Sequence, residues 1–182
     1  MHSRPEPETT LVGSLYHPMS AYPSLDIVCR RWQEIRDEVI PALADASFTT
    51  IDDGRVAREM WSILPLLPEP EDVSIFGGWE RSREVVPKLW AFLQSQPSLK
   101  GYTISFLRAG GYIAPHRHAN AFVTALLTLQ AGEGCYMVTD GEQHSFRPGE
   151  IVVFDYRRLH LARNFSDVDW IALLMLLEPA HL

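Results

Sequence analysis

The hydrophobic pattern of the chain changes near residue 102. Before that point, apolar residues recur every three or four positions in two stretches, a spacing that places them on one face of a helix. After it, short apolar runs rich in β-branched and aromatic residues alternate with turn residues, as in successive strands. The pattern therefore predicts an N-terminal part with helices and a β-rich remainder.

Two helices are predicted in the N-terminal part. The first begins near Ser24, whose side chain can cap it, and ends close to Pro41. Its apolar stripe consists of Leu25, Val28, Trp32, Ile35 and Val39. The second spans about 83–95, and Pro87 limits where it can begin.

The segment between these helices is less regular. Ser47–Ile51 is compatible with a short strand. Trp61–Pro68 is apolar but contains prolines, which cannot donate a backbone hydrogen bond within a sheet. We therefore predict an edge strand or an ordered loop over Trp61–Pro68.

Short strands separated by turn residues fill the rest of the chain. Roughly eight such strands indicate a sandwich or a barrel, and a double-sheet jelly roll fits them best. The predicted strands are Tyr102–Leu107, Tyr112–Ala114, Phe122–Leu129, Cys135–Val138, His144–Phe146, Ile151–Phe154, Leu159–Arg163 and Trp170–Leu177.

Composition and charge exclude several classes of partner. A length of 182 residues suits one domain, predicted over residues 13–182 after a flexible tail at 1–12. The net charge of -7 argues against nucleic acid or an anionic membrane, because phosphate binding needs clustered lysine and arginine. The two cysteines imply no disulfide framework, and neither a signal peptide nor a membrane span is recognisable. We predict a soluble cytoplasmic protein.

Three histidines are the candidate metal ligands. His116 and His118 are one residue apart, so on an extended segment their side chains point to the same face. His160 lies on a later predicted strand and can supply a third imidazole. Imidazole binds iron, zinc, copper and nickel, so these residues alone do not name the metal.

The chain from about Trp61 to Pro179 resembles the aspartyl/asparaginyl β-hydroxylase family. Several segments carry the resemblance in the expected order: Trp61–Leu66, Val86–Lys88, Ile104–Phe106, Gly110–His116, Glu133–Cys135, Pro148–Asp155, His160 and Glu178–Pro179. The resemblance implies a double-stranded β-helix, a cupin-like jelly-roll barrel with the N-terminal helices packed outside. It also implies Fe(II), 2-oxoglutarate and O2, with His116 and His160 as iron ligands and Ser105 helping to hold the distal carboxylate of 2-oxoglutarate.

The sequence departs from the family pattern at two places. The family usually has glycine two positions after the first histidine, where this chain has His118. It also anchors 2-oxoglutarate with an arginine on the last long strand, but Trp170–Leu177 contains no basic residue. Arg163 is the leading replacement, although it would face away from His160 on a regular strand, and the other candidates are Arg108, Arg147 and Arg158.

Three functions stay open from the sequence. The first is an iron- and 2-oxoglutarate-dependent hydroxylase of a small molecule or amino-acid derivative. The second is a three-histidine, cupin-type dioxygenase that needs no 2-oxoglutarate, for which the spacing of His160 and Asn164 gives mild support. The third is a barrel that binds a small ligand without catalysis. Asp155, which precedes His160 in the family pattern, is predicted to be a turn residue that bonds its own backbone.

Overall fold

The fold is known from a computed structural model that describes residues 16–43, 49–50, 60–67, 81–96, 98–118 and 122–180. The predicted tail at 1–12 lies outside these residues, and the domain boundary at residue 13 stays a prediction. Among the described helices, none has the length and apolar character needed to cross a membrane.

Each of the two predicted helices is divided into two. The described helices are α1 (Leu25–Arg30), α2 (Trp32–Ala42), α3 (Ser82–Val85) and α4 (Pro87–Gln94), with a 3-10 turn at Met19–Ala21. The first break is at Arg31, and the second is at Val86, which has φ -132° and ψ 64°. Val86 leaves the helical region because a residue that precedes proline is sterically pushed towards extended backbone.

The described strands form two antiparallel sheets. The larger has the order β1-β9-β6-β11-β4-β3-β2, and the smaller has the order β5-β10-β7-β8. Their bounds are β1 Tyr16–His17, β2 Thr49–Thr50, β3 Trp61–Leu67, β4 Leu99–Leu107, β5 Tyr112–His116, β6 Val123–Gln130, β7 Cys135–Thr139, β8 Glu142–Ser145, β9 Ile151–Phe154, β10 His160–Asn164 and β11 Trp170–Leu177. The predicted jelly roll is confirmed as two facing sheets, which are not closed into a continuous barrel.

Trp61–Pro68 was predicted as an edge strand or an ordered loop, and Trp61–Leu67 forms β3 close to the sheet edge. Its only outer neighbour among the described strands is β2, which pairs with Ile63 and Ser62. Pro65 lies beyond that pairing, so its missing N–H does not interrupt a ladder on the outer side. The predicted strand at Ser47–Ile51 is described only at Thr49–Thr50.

The larger sheet has an apolar layer on each face, because residues alternate between faces along each strand. Its outer face packs on the helices, and this layer joins Val28, Ile35 and Leu93 to strand residues such as Leu127 and Leu173. Its inner face packs on the smaller sheet through a second buried cluster. The predicted packing of the helices outside the jelly roll is confirmed, and the space between the sheets is left for a site.

We expect the Glu38→Ala substitution to destabilise the junction of α2 and α4. The Glu38 carboxylate accepts hydrogen bonds from the backbone N–H groups of Lys88 (2.8 Å) and Leu89 (2.7 Å) at the start of α4. Loss of such a cap costs about 1 kcal/mol. For a protein of this size that lowers the melting temperature by about 2–4 °C. Thermal unfolding followed by circular dichroism measures the shift.

Glu34→Ala is the matched control for Glu38→Ala. Glu34 lies on the same helix and forms an exposed ion pair with Arg31, and such pairs contribute only about 0–1 kcal/mol. The control should therefore shift the melting temperature less than Glu38→Ala does. Equal shifts for the two variants would contradict a capping role for Glu38.

Candidate metal centre

The three predicted histidines meet between the two sheets. His116 ends β5, His160 begins β10, and the two residues are direct partners across this antiparallel pair. With His118 they form one cluster in which one ligand atom of each residue lies within 4.8 Å of the others. Two nitrogen atoms bound to a single ion at about 2.1 Å are at most about 4.2 Å apart. The cluster therefore needs only small side-chain shifts to enclose an ion.

Hydrogen bonds to the backbone orient two of the imidazoles. Nδ1 of His116 donates to the carbonyl oxygen of Ala114 (2.8 Å), and Nδ1 of His160 donates to that of Arg158 (2.8 Å). A carbonyl oxygen only accepts, so in each ring the proton is on Nδ1 and the lone pair is on Nε2. Metal-binding histidines are commonly fixed in this way. The donor set and its tautomers therefore fit a transition-metal ion.

A β-bulge in β5 turns His116 towards the site. His160 pairs with His116 and Ala162 pairs with Ile113, so two steps along β10 match three along β5. The extra residue lies in the Ala114–Pro115 stretch, where Pro115 has no N–H to donate. Ile113 and His116, which are three residues apart, consequently line the same cavity.

His118 is held by Tyr156, a contact that the sequence did not predict. The two rings are stacked with centroids 3.7 Å apart and an interplanar angle of 5°. The backbone N–H of His118 also donates to the carbonyl oxygen of Tyr156 (3.1 Å). His118 lies beyond the end of β5 and therefore outside the pairing of that strand. Its position is set instead by these two contacts with Tyr156.

The turn that carries Tyr156 is fixed by Asp155, as the sequence predicted. The Asp155 carboxylate accepts from the backbone N–H of Arg157 (2.9 Å) and from its guanidinium (2.8 Å). Burial raises the pKa of Asp155, but the hydrogen bonds from Arg157 and the charges of Arg157 and Arg158 outweigh burial, so that the pKa lies below its usual value. Asp155 therefore stays ionised and holds the turn between β9 and β10.

A mainly apolar cavity opens beside the histidine cluster. Its empty volume, counting the open mouth and the solvent in it, is about 500 Å³. Aromatic and aliphatic side chains dominate its wall. The lining residues are Trp61, Ser105, Leu107, Ile113, His116, Leu126, Met137, Phe154, Tyr156, His160, Ala162, Trp170, Ala172 and Leu174.

The two residues predicted to hold 2-oxoglutarate are not brought together. Ser105 lines the cavity, where its Oγ accepts a hydrogen bond from Nε1 of Trp61 (2.9 Å). Arg163 is on the opposite side of β10, and its guanidinium lies over the rings of Tyr112 (4.5 Å) and Phe165 (4.8 Å). The bulge is in β5, so β10 keeps its regular alternation and Arg163 faces away from His160 and Ala162.

The described cavity wall does not fit the distal carboxylate of 2-oxoglutarate. No lysine or arginine is among its described lining residues, and the other three candidates, Arg108, Arg147 and Arg158, are outside it. Arg158 instead pairs with Asp140 (3.3 Å). Burial of a carboxylate without a cation or several donors is costly. The histidine cluster thus fits a metal ion, whereas the described wall does not fit the distal carboxylate of 2-oxoglutarate.

The sequence selected the three histidines that the fold brings together but missed most of the cavity wall. Trp61, which begins the segment predicted as an edge strand or an ordered loop, lines the cavity, whereas Tyr112 packs under Arg163. The missed wall residues Phe154, Tyr156 and Met137 belong to apolar or turn segments with ordinary core patterns. Ala162 was predictable from its position two residues after His160, because strand alternation places both side chains on the same face. This signal was not available for the other three.

Replacing Tyr156 tests whether its ring positions His118. Tyr156→Leu removes the stacked ring but keeps the backbone carbonyl, so we expect metal affinity to fall about tenfold, as for other outer-sphere partners. Tyr156→Phe keeps the ring and should bind metal within about threefold of the parent protein. Competition with a chromogenic chelator gives the affinity of each variant.

Tyr136→Leu is the control for the Tyr156 variants. Tyr136 also packs its ring on an aromatic neighbour, Phe165, at 6.0 Å, but it lies outside the histidine cluster. Unchanged metal affinity is expected for this variant. A tenfold loss in Tyr136→Leu, or none in Tyr156→Leu, would contradict the positioning role of Tyr156.

Comparison with known proteins gives one family and several structures of similar fold. The sequence model of a family described as Aspartyl/Asparaginyl beta-hydroxylase matches residues 29–179. A comparison with curated proteins gives no match.

Three solved structures that align with the chain are the following. An oxidoreductase of the 2OG-Fe(II) oxygenase family from Burkholderia pseudomallei aligns with a TM-score of 0.51 at 9% identity, covering 79% of this chain and 79% of that chain. A predicted oxalate decarboxylase from Thermotoga maritima aligns at 0.49 with 15% identity, covering 75% and 96%. A cupin 2 conserved barrel domain protein from Rhodopseudomonas palustris aligns at 0.48 with 11% identity, covering 76% and 75%.

Proposed function

Because the chain belongs to the aspartyl/asparaginyl β-hydroxylase family, we propose that it is a mononuclear non-haem iron oxygenase acting on a small molecule. The observation that carries the proposal is the cluster of His116, His118 and His160 at an apolar cavity. Iron, when bound, supplies the activation of O2 that an organic substrate needs in order to be oxidised.

The residues of the chain have three tasks in this function. His116 and His160 present Nε2 to the ion, since their Nδ1 atoms are committed to backbone carbonyl groups. His118 completes the ligand set under the ring of Tyr156. The apolar wall holds the substrate beside the cluster and excludes water, which protects reactive species from side reactions.

Dioxygenation without a co-substrate is the form of the reaction that the cavity supports best. Both atoms of O2 then enter the product, all electrons come from the substrate, and no further reductant is needed. The described wall offers 2-oxoglutarate no cation, and a three-histidine centre is the ligand set expected for the cupin-type alternative.

Hydroxylation dependent on 2-oxoglutarate is the second candidate. It inserts one atom of O2 into the substrate, and oxidative decarboxylation of 2-oxoglutarate supplies two electrons. Family membership and the place of Ser105 in the cavity wall favour it. A barrel that binds a ligand without catalysis is the third possibility retained from the sequence.

Oxygen consumption separates these functions. We expect purified, iron-loaded protein to consume O2 with a panel of small aromatic compounds, and to do so without 2-oxoglutarate. The variant His160→Ala, measured in parallel, should show only the background rate. A strict requirement for 2-oxoglutarate would favour the hydroxylase, and no consumption under either condition would contradict an oxygenase.

A further inference from the structure

The cavity wall indicates the charge of the molecule that it binds. Its polar groups away from the histidine cluster belong to neutral side chains, of which Ser105 and Trp170 are on the larger sheet. Neither lysine nor arginine contributes to the part of the wall that the structure describes. A bound metal ion can offset a negative charge that touches it, but not one at the far end of a ligand, where burial stays costly.

Trp170 supplies a buried donor with no acceptor among the described residues. Its side chain lines the cavity, is 5% exposed and packs on Phe146 with ring centroids 4.8 Å apart. The indole N–H has no hydrogen-bond partner within the described part of the chain. A buried donor of this kind is usually satisfied by protein, water or a ligand, and because the Trp170 side chain lines the cavity, an acceptor on a ligand bound there can satisfy it.

Ser105 supplies a second donor next to Trp170. It faces Ala172 across the β4–β11 pair, and Trp170 faces Leu107 two positions further on, so Ser105 and Trp170 are diagonal neighbours on one face. Its Oγ accepts from Nε1 of Trp61, which leaves the hydroxyl hydrogen to be donated elsewhere. The two residues together can present two neutral donors to one oxygen atom.

The same face of the larger sheet contains further unsatisfied hydroxyl groups. Thr124 and Thr128 lie two positions either side of the cavity-lining Leu126, so all three side chains point between the sheets. The hydroxyl groups of both threonines are buried and have no partner among the described residues. Neutral hydrogen-bonding groups, rather than charges, therefore characterise the polar part of this interior.

We propose that the cavity binds an uncharged, mainly apolar aromatic molecule with one acceptor oxygen, and that it does not take a dicarboxylate such as 2-oxoglutarate. The aromatic part packs between Trp61, Phe154 and Tyr156, and the oxygen accepts from Trp170 Nε1 and Ser105 Oγ. This inference names the substrate class of the proposed oxygenase, so the role of the bound molecule as a substrate rests on the proposed function. Binding in the cavity does not, because it can be tested without iron.

The test compares two probes that differ in charge but little in shape. Acetophenone is neutral and has a carbonyl acceptor, whereas benzoate carries a carboxylate on the same ring. Titrations of the metal-free and iron-loaded protein, under anaerobic conditions, give the dissociation constants of both probes and of 2-oxoglutarate. We expect metal-free protein to bind acetophenone at least about tenfold more tightly than benzoate, and 2-oxoglutarate to bind more weakly than acetophenone in both forms.

Two tryptophan variants test the proposed donor. Trp170→Phe keeps an aromatic ring against Phe146 but removes the N–H, and should weaken acetophenone binding roughly fivefold, the effect of one net hydrogen bond. Trp90→Phe is matched, because the Trp90 N–H is also buried without a partner among the described residues but is on α4, outside the cavity. It should leave acetophenone binding unchanged.

Several outcomes would overturn the inference. These are benzoate binding as tightly as acetophenone to the metal-free protein, 2-oxoglutarate binding more tightly than acetophenone to the iron-loaded protein, equal effects of the two tryptophan variants, or no binding of any probe. Failure of the proposed function is distinct: iron would not bind, or O2 would not be consumed, while acetophenone still bound the metal-free cavity.

Discussion

The His160→Ala variant is expected to lose tight iron binding and all oxygen consumption while it keeps its fold. His160 is the most buried of the three histidines, at 4% exposed, and its Nδ1 hydrogen bond holds Nε2 towards the cluster. Removal of a ligand should exceed the 10- to 100-fold effect of losing an outer-sphere partner, so we expect a loss of at least about a thousandfold in affinity. His116→Ala should behave in the same way.

The measurement is iron per protein chain after gel filtration, together with circular dichroism and thermal unfolding. The fold should persist, because two apolar layers, and not the metal, supply most of the buried surface. His144→Ala is the matched control: His144 is on the same small sheet and bonds Glu150 (3.0 Å), but it is not in the cluster. Stoichiometric iron in His160→Ala and His116→Ala would refute their assignment as ligands.

The His118→Gly variant is expected to lose about a hundredfold in iron affinity and to recover part of it when imidazole is added. The substitution installs the glycine that the family usually has at this position. It leaves a gap beside the ring of Tyr156, where free imidazole can stack as His118 does at 3.7 Å. Rescue by imidazole would separate a ligand role from a general loosening of the backbone.

Arg117→Gly is the control for His118→Gly, because it introduces the same backbone freedom at the adjacent exposed position. Its iron affinity should stay within about threefold of the parent protein. The competing interpretation keeps two histidine ligands and gives His118 a contact with the substrate. If His118→Gly retains its iron affinity and still consumes O2, that interpretation is correct and the three-histidine centre is wrong.

The sequence was sufficient for the part of this protein that depends on short-range patterns. Ile151–Phe154 and Trp170–Leu177 were predicted with the bounds that the structure gives, because short apolar runs bounded by turn residues are typical of buried strands. The helix breaks at Arg31 and Val86 were not predicted. The second was available in principle, since Val86 precedes proline.

The candidate site divides in the same way. His116, His118 and His160 could be selected from sequence, because the close spacing marks one pair and His160 matches a family position. Their meeting depends on the antiparallel β5–β10 register, and the bulge at Ala114–Pro115 sets which face His116 occupies. Neither the register nor the bulge is encoded in the periodicity of a single strand.

What only the tertiary structure decided is the character of the cavity. Sequence determined that Trp170–Leu177 has no basic residue and that Arg163 would face away from His160 on a regular strand. Whether an arginine from elsewhere in the chain reaches the cavity depends on long-range packing. In the described wall, the last strand contributes Trp170, Ala172 and Leu174. Tyr156 stacks on His118 through a turn far along the chain, a contact that exists only once two sheets face each other.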